Sequence, residues 1–253
     1  MCKIISIANQ KGGVGKTTTA VNVSAGLSQI GKKVLLCDID PQGNATTGYG
    51  IEPAKAKISV YDVMVRGVPV EQAVNVTPWG DVIPSDIALA AAEIEIVDLP
   101  RREYILKNIL EPLRSSYDFI IIDCPPSLGL LTINALIACD SVLVPMQCEY
   151  YALEGLSQLM NTIRMVRRSF NAELKIEGIV LTMFDGRTNL AMQVADEIKK
   201  HFPGQVFATP VPRNVRLSEA PSHGKPVMAY DKYSKGAESY LKIAGEIIAR
   251  NSK

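Results

Sequence analysis

One glycine-rich stretch near the start of this 253-residue chain limits the possible folds more than any other feature. It reads QKGGVGKTT over residues 10–18, follows an apolar run at 3–8 and overlaps the start of a helical pattern at 17–30. A glycine-rich turn between a strand and a helix leaves backbone N–H groups free to surround an anion. The context therefore predicts a phosphate-binding loop in an α/β fold, although a simple glycine-rich turn with incidental lysines is the alternative.

Short β-branched runs alternate with helical patterns along the rest of the chain. We predict strands at 3–8, 33–37, 119–122, 141–144, 176–182 and 206–208, and helices at 17–30, 102–113, 132–138, 152–168, 190–201 and 236–250. This alternation predicts a doubly wound, mainly parallel sheet with helices on both faces. Because no repeat or flexible linker interrupts it, we expect one domain over residues 1–253, with helical or irregular insertions between 45 and 100.

Charge and cysteine usage exclude several classes of protein. Lysine and arginine number 27 against 26 aspartates and glutamates, which argues against a constitutive nucleic-acid binder. The five cysteines form no C-x-x-C pair and only two histidines accompany them, which disfavours zinc and iron–sulfur sites. Scattered free thiols and the absence of a long apolar run or a signal-peptide pattern predict a cytoplasmic protein.

The groups of the glycine-rich stretch suit a nucleoside triphosphate and Mg²⁺. Lys16 can reach the β- and γ-phosphates, and the Thr17 hydroxyl is an oxygen ligand of the kind that Mg²⁺ prefers. The residues predicted to bind the nucleotide here are Lys11, Gly12, Gly13, Val14, Gly15, Lys16, Thr17 and Thr18.

Carboxylates follow two of the apolar runs, where open α/β sheets bind ligands. Asp123 after the run at 119–122 suits a Walker B carboxylate that holds Mg²⁺ directly or through water. Asp40 is a candidate for orienting the attacking water and for the metal, and Asp38 for supporting the metal shell. Alternatively, these aspartates only begin turns or cap helices, as Asp-Pro and Asp-x-Pro sequences often do.

The loop departs from G-x-x-x-x-G-K-[ST], because Gln10 replaces the first glycine and Lys11 adds a second lysine. This form resembles the deviant Walker A motif of the ParA/MinD ATPases. Longer stretches resemble the Soj branch of chromosomal ParA proteins, over nearly the whole chain. They read DIDPQGN at 38–44, FIIIDCPPSLGLL at 119–131, PMQCEYYALEGL at 145–156 and PRNVRLSEAPSHGKPV at 212–227.

The resemblance implies a DNA-partitioning ATPase that uses ATP and Mg²⁺ and associates with the nucleoid. In that family, ATP binding promotes a sandwich homodimer, the dimer binds double-stranded DNA without sequence preference, and a ParB-type protein stimulates slow hydrolysis. Some members also act on replication initiators. With only ten residues before the loop, the chain resembles the short chromosomal type, without an N-terminal DNA-reading domain.

The resemblance also assigns roles to individual residues. The catalytic groups are Lys11, which acts across the dimer, Lys16 and Asp40, and the metal groups are Thr17, Asp40 and Asp123. Met183, Pro212 and Asn214 match the adenine side of the nucleotide site, and Arg187 and Arg216 match the DNA-contacting arginines. Surface ion pairs are the alternative for both arginines, as a solvated charge is for Lys11. Glu149 could face the nucleotide, the dimer seam or solvent.

Two other functions remain open at this point. A MinD-like membrane-cycling ATPase needs an amphipathic anchor, whereas the apolar stripe of Tyr240, Leu241, Ala244, Ile247 and Ile248 is typical of core packing. We therefore expect no stable membrane anchor. A metabolic P-loop enzyme, such as a synthetase or an iron-protein-like reductase, is the second alternative, and Cys124 beside Asp123 is the residue that bears on it.

Overall fold

A central β-sheet organises the computed structural model, which describes residues 2–149 and 152–252. Its strands are β1 (Lys3–Ile7), β2 (Val34–Asp38), β3 (Asn75–Thr77), β4 (Gly80–Ile83), β5 (Phe119–Asp123), β6 (Ser141–Gln147) and β7 (Lys175–Thr182). They lie in the order β3-β4-β2-β5-β1-β6-β7, and all neighbouring pairs are parallel except the β3–β4 hairpin. The prediction of a doubly wound, mainly parallel sheet is therefore confirmed.

Helices connect the strands and cover both faces of the sheet. They are α1 (Lys16–Gln29), α2 (Asn44–Gly48), α3 (Val60–Arg66), α4 (Val70–Ala73), α5 (Leu89–Glu95), α6 (Ile105–Leu110), α7 (Leu130–Ala138), α8 (Ala152–Ser169), α9 (Asn189–His201), α10 (Val215–Glu219), α11 (Val227–Tyr230) and α12 (Lys235–Asn251). Short 3₁₀ segments lie at Pro53–Lys55, Arg102–Tyr104, Glu111–Ser115 and Ala220–His223.

The sheet separates two apolar cores, as expected for strands buried on both faces. One core contains residues from α3 to α9, and the other contains residues from α1, α2, α11 and α12. On the second face α1 and α12 approach closely at Gly26 and Ala244. A Cβ placed on Gly26 would lie only 3.1 Å from the Cβ of Ala244. Tyr240, Ala244 and Ile247 are buried there, so the C-terminal apolar stripe packs in the core as interpreted.

The register of the central strands aligns the ends that carry the predicted site. Ile7 of β1 pairs with Asp123 of β5, and Asp123 in turn pairs with Asp38 of β2. Since parallel strands end at the same edge of the sheet, the loop after β1 and both aspartates meet there. This edge is where the functional site is built.

Three local predictions differ from the structure. The strand predicted at 206–208 is reduced to a single bridge between Val206 and Ile179. The helix predicted at 102–113 is divided into 3₁₀ and α segments, and Pro112 lacks the N–H that would continue it. Residues 45–100 contribute β3 and β4 to the sheet, where we expected only helical or irregular insertions.

Candidate nucleotide site

The glycine-rich loop joins β1 to α1 and ends in a helix N-terminus without a side-chain cap. Gly15 is the N-cap residue of α1 and has a φ of 85°, in the left-handed region that favours glycine. The first N–H groups of α1 therefore remain available to an anion. The Thr182 hydroxyl at the end of β7 donates to the Val14 carbonyl at 2.8 Å and fixes the loop from the opposite side.

Lys16 points its ammonium group back into this loop. The side chain is 6% exposed, and Nζ donates to the Lys11 carbonyl at 3.0 Å. Burial lowers the pKa of Lys16, and the negative charges of Asp123 and Asp40 oppose this shift. An ammonium has three donors, so Lys16 keeps donors for a phosphate after closing the loop.

Asp38 is fully buried and accepts hydrogen bonds from its own chain. Its carboxylate receives the backbone N–H and the hydroxyl of Thr46, both at 2.8 Å, and the backbone N–H of Asp40 at 3.1 Å. Burial nevertheless raises the pKa of Asp38 to about 6. The Thr46 hydroxyl also accepts the backbone N–H of Ser85 at 2.9 Å. Asp38 therefore organises the turn after β2, which matches the turn-forming alternative.

Asp123 is equally buried but has no such partners. Neither carboxylate oxygen accepts a hydrogen bond from the part of the chain that the structure describes. Burial raises the pKa of Asp123 well above its usual value, and the charge of Asp38 adds to this rise. Thr17 and Lys16 oppose it from nearby, without completing a hydrogen bond to the carboxylate. A buried polar group without a partner is costly and calls for a ligand.

Mg²⁺ fits the oxygen groups gathered here. It is bound in phosphate sites by one or two carboxylates and hydroxyls together with the substrate's phosphates. Asp123 offers two oxygens that are unpaired within the described part of the chain, and Thr17, a half-buried residue, offers a hydroxyl. Over residues 2–149 and 152–252, no group of three His, Cys, Asp or Glu forms a separate metal centre. All five cysteines are buried free thiols.

Asp40 lies on the wall of the same site and also shapes its own turn. It is 6% exposed, and its Oδ1 accepts the backbone N–H of Gln42 at 3.0 Å. Asp40 therefore begins a turn, as in the turn-forming alternative, and it also lines the cavity that opens from the glycine-rich loop.

Lys11 forms an ion pair with Glu149, which follows β6. The two side chains are 38% and 48% exposed, at the mouth of the loop. The solvated-charge alternative for Lys11 therefore stays open, since this partly exposed charge is paired with another partly exposed side chain in this conformation. Tyr150 and Tyr151, which come next in the chain, lie outside the described residues.

A cavity of about 580 Å³ opens from the glycine-rich loop. This volume is within the range of small-molecule sites. The predicted adenine-side residues Met183, Pro212 and Asn214 all line it, as do Asp40 and Pro126. Met183 has a φ of 48°, which is uncommon for a residue with a side chain. Sequence reasoning missed Thr182 and Tyr240, although the position of Thr182 at the end of a predicted strand was an available signal.

The two predicted DNA-contacting arginines are exposed and do not line the cavity. Arg187 pairs with Asp185 at 2.7 Å and is 90% exposed, and Arg216 pairs with Glu219 at 2.8 Å and with Asp231 at 3.3 Å. The ion-pair alternative therefore describes both side chains in this conformation. Such exposed pairs contribute little stability and exchange readily with other anions.

Comparisons with known proteins agree on one family. A family model described as an AAA domain matches residues 2–176. The chain is 61% identical over 98% of its length to the sporulation initiation inhibitor protein Soj of Bacillus subtilis, covering 99% of that protein. It is 52% identical over 99% of its length to the chromosome partitioning protein ParA of Myxococcus xanthus, covering 89% of it.

One solved structure that this chain resembles contains bound ligands. The chain resembles a cobyrinic acid a,c-diamide synthase from Mycobacterium smegmatis with bound ADP and magnesium, at a TM-score of 0.89 and 37% identity. The match covers 100% of this chain and 96% of that one. Within the described ranges, no helix is both long enough and apolar enough to cross a membrane.

Proposed function

The chain belongs to the ParA/Soj family of chromosome-partitioning ATPases, and from this premise we propose that it is an ATP-gated DNA-binding protein. ATP would hold two copies in a sandwich dimer, the dimer would bind double-stranded DNA of the nucleoid without sequence preference, and a ParB-type protein would trigger hydrolysis and release. The observation that carries the nucleotide part is Asp123, whose two buried oxygens accept no hydrogen bond from the described residues although Lys16 and Thr17 lie nearby.

The chain's own groups would divide the work on ATP. The loop N–H groups and Lys16 would hold the β- and γ-phosphates, while Thr17, Asp123 and Asp40 would hold Mg²⁺ directly or through water. The ion supplies positive charge that neutralises the phosphates. Asp40 would orient the attacking water from the cavity wall, and Met183, Pro212 and Asn214 would contact the base.

Lys11 would complete the site from the partner subunit. Its position at the exposed mouth of the loop supports this role, and its exposed ion pair with Glu149 is weak enough to be exchanged. A second positive charge near the transferring phosphate would speed hydrolysis as an arginine finger does. Hydrolysis by the separate monomer would therefore be slow.

DNA binding by Arg187 and Arg216 would depend on dimerisation. Each arginine is neutralised by an acidic neighbour of its own chain, and the whole chain carries a net charge of +1. A monomer would therefore bind a phosphate backbone weakly, whereas a dimer presents twice as many arginines on one surface. This arrangement favours a gated binder over a constitutive one.

The decisive experiment is binding of non-specific duplex DNA with ATP, ADP or no nucleotide, at two salt concentrations. We expect cooperative binding only with ATP, and weaker binding at the higher salt. Arg216→Ala should lose DNA binding but still dimerise, whereas Lys242→Ala, which removes an exposed cation on α12, should behave as wild type. Equal binding with ADP would contradict ATP gating, and ATP-dependent binding to liposomes would favour the membrane-cycling alternative.

Dimerisation has its own test. Asp40→Ala should bind ATP without hydrolysing it and should sediment as a stable dimer in analytical ultracentrifugation. A variant that stays monomeric with ATP would show that Asp40 does not have the proposed role. Wild-type protein that binds neither DNA nor a second copy with ATP would favour a metabolic function.

A further inference from the structure

A carboxylate that does not line the cavity contacts the helix that follows Asp123. Glu93 lies on α5, and its Oε1 accepts the backbone N–H of Leu131, in the first turn of α7, at 3.2 Å. The two residues are 38 positions apart in the chain. The contact is therefore a tertiary one, made by the packing of α5 against the start of α7.

The start of α7 has no capping group of its own. Its N-cap residue is Gly129, no side chain caps the helix locally, and its first turn contains no acidic residue. The first N–H groups of a helix need acceptors, and a carboxylate there also favours the helix dipole. Glu93 supplies this acceptor from outside the helix.

Gly129 makes the approach of this carboxylate possible. A Cβ placed on Gly129 would overlap Oε1 of Glu93. The φ of Gly129 is −75° and its ψ is −170°, an extended conformation that serine and alanine also adopt. A Cβ at position 129 would therefore not strain the backbone, but it would push the Glu93 carboxylate out of this contact.

The capped end controls a segment that belongs to the nucleotide site. Residues 124–129 run from Asp123 to α7, and Pro126 of this segment lines the cavity. One end is held by β5. The other is held by the first turn of α7, where the Thr132 hydroxyl donates to the Ser127 carbonyl at 2.6 Å. Loosening that turn releases one of the two supports of the segment.

The stretch of chain that ends at Glu93 also contacts the segment after β2. Ser85 donates its backbone N–H to Thr46, which in turn holds Asp38. Between these contacts, Leu89 and Ala92 are fully buried and anchor α5 in the core. Residues 85–93 therefore contact both Thr46, which holds Asp38, and the start of α7.

We propose that Glu93 is a positioning residue for ATP hydrolysis, acting as the external cap of α7. It holds residues 124–129 against the phosphate end of the cavity and so determines kcat, while the glycine-rich loop determines ATP affinity. This inference rests on the proposed ATPase function. It assigns a role to a residue that does not itself touch the nucleotide cavity.

The test is a set of variants that remove the cap and then restore it locally. Glu93→Ala and Gly129→Ala should each lower kcat by about three- to tenfold and Tm by about 2–4 °C, with the KM for ATP within about twofold of wild type. Combining them should add nothing further, because both remove the same contact. Glu93→Ala with Gly129→Ser should regain most of both losses, since serine is a good N-cap residue.

Two controls separate capping from general damage. Glu93→Gln keeps an acceptor but loses the charge, so its effect should be smaller than that of Glu93→Ala. Glu95→Ala removes another carboxylate of α5. The Glu95 carboxylate contacts Tyr61 instead of α7, so this variant should leave kcat unchanged. Thermal unfolding and steady-state ATPase assays, with and without DNA and a ParB-type protein, provide the readouts.

Several outcomes would overturn the inference. They are a wild-type kcat in Glu93→Ala, a lower Tm without a lower kcat, additive losses in the double alanine variant, and no recovery with serine at position 129. Wild-type protein without ATPase activity would instead overturn the proposed function on which the inference rests. The variants and the wild type therefore distinguish the two failures.

Discussion

Asp38 and Asp123 occupy the ends of neighbouring strands, in register and both at 0% exposure, yet their surroundings are opposite. The carboxylate of Asp38 accepts three hydrogen bonds from its own chain, whereas that of Asp123 accepts none from the described residues. Burial of a carboxylate without partners is expensive. The contrast indicates that Asp38 is completed by folding, whereas Asp123 is completed by a ligand.

The largest effect should come from a substitution at Asp123, the carboxylate without native partners among the described residues. Asp123→Asn removes the charge offered to Mg²⁺, and we expect kcat for ATP to fall by about 10²–10³-fold, the scale seen when one preorganised electrostatic group is lost. Because the Asp123 carboxylate accepts no hydrogen bond from residues 2–149 and 152–252, Tm should stay at or above that of wild type. Steady-state ATPase assays and calorimetry check both. Hydrolysis at the wild-type rate would show that Asp123 is dispensable.

The second-largest effect should be the loss of Mg²⁺-dependent stabilisation when Asp123 is replaced. At 100 times its Kd, a ligand that binds only the folded state stabilises it by about 2.7 kcal/mol. We expect Mg²⁺ to increase the stabilisation of wild-type protein by ADP, and to have no such effect in Asp123→Asn. Thermal shift assays with ADP, with and without Mg²⁺, measure this. An equal response to Mg²⁺ in both proteins would place the ion elsewhere.

The same substitution at Asp38 should affect folding instead. The Asp38 carboxylate accepts from three donors, two on Thr46 and one on Asp40. Asp38→Asn leaves at least one of these donors without an acceptor, which costs about 1–3 kcal/mol of unfolding free energy. Chemical denaturation measures this loss, and Thr46→Val is the matched change on the other side of the contact. In a double-mutant cycle the two changes should not add. Full additivity would mean that the hydrogen bonds between them contribute nothing.

The smallest effect should come from Glu149, a third carboxylate near the site but about half exposed. Glu149→Gln removes its ion pair with Lys11, and exposed pairs contribute about 0–1 kcal/mol. We therefore expect a barely changed unfolding free energy in denaturation experiments. A loss as large as that of Asp38→Asn would show that hydrogen bonding in the core is not what separates these carboxylates.

Sequence reasoning located both aspartates because apolar runs mark strands, and the carboxyl ends of parallel strands meet at one edge. It did not separate their environments, because two of the three hydrogen bonds to Asp38 come from Thr46, which lies in α2, eight residues along the chain. β3 and β4 were missed since they are three and four residues long and mostly half-exposed. The contact of Glu93 with α7 leaves no local pattern, because tertiary packing alone creates it.

The order of the strands also has a consequence for synthesis on the ribosome. β1 is translated before its partners in the sheet, which begin at Phe119 and Ser141. In the same way α1 precedes α12, whose Tyr240 hydroxyl lies 3.1 Å from that of Thr19. Such long-range contacts form slowly and late. The glycine-rich loop is thus translated well before the segments that complete its surroundings.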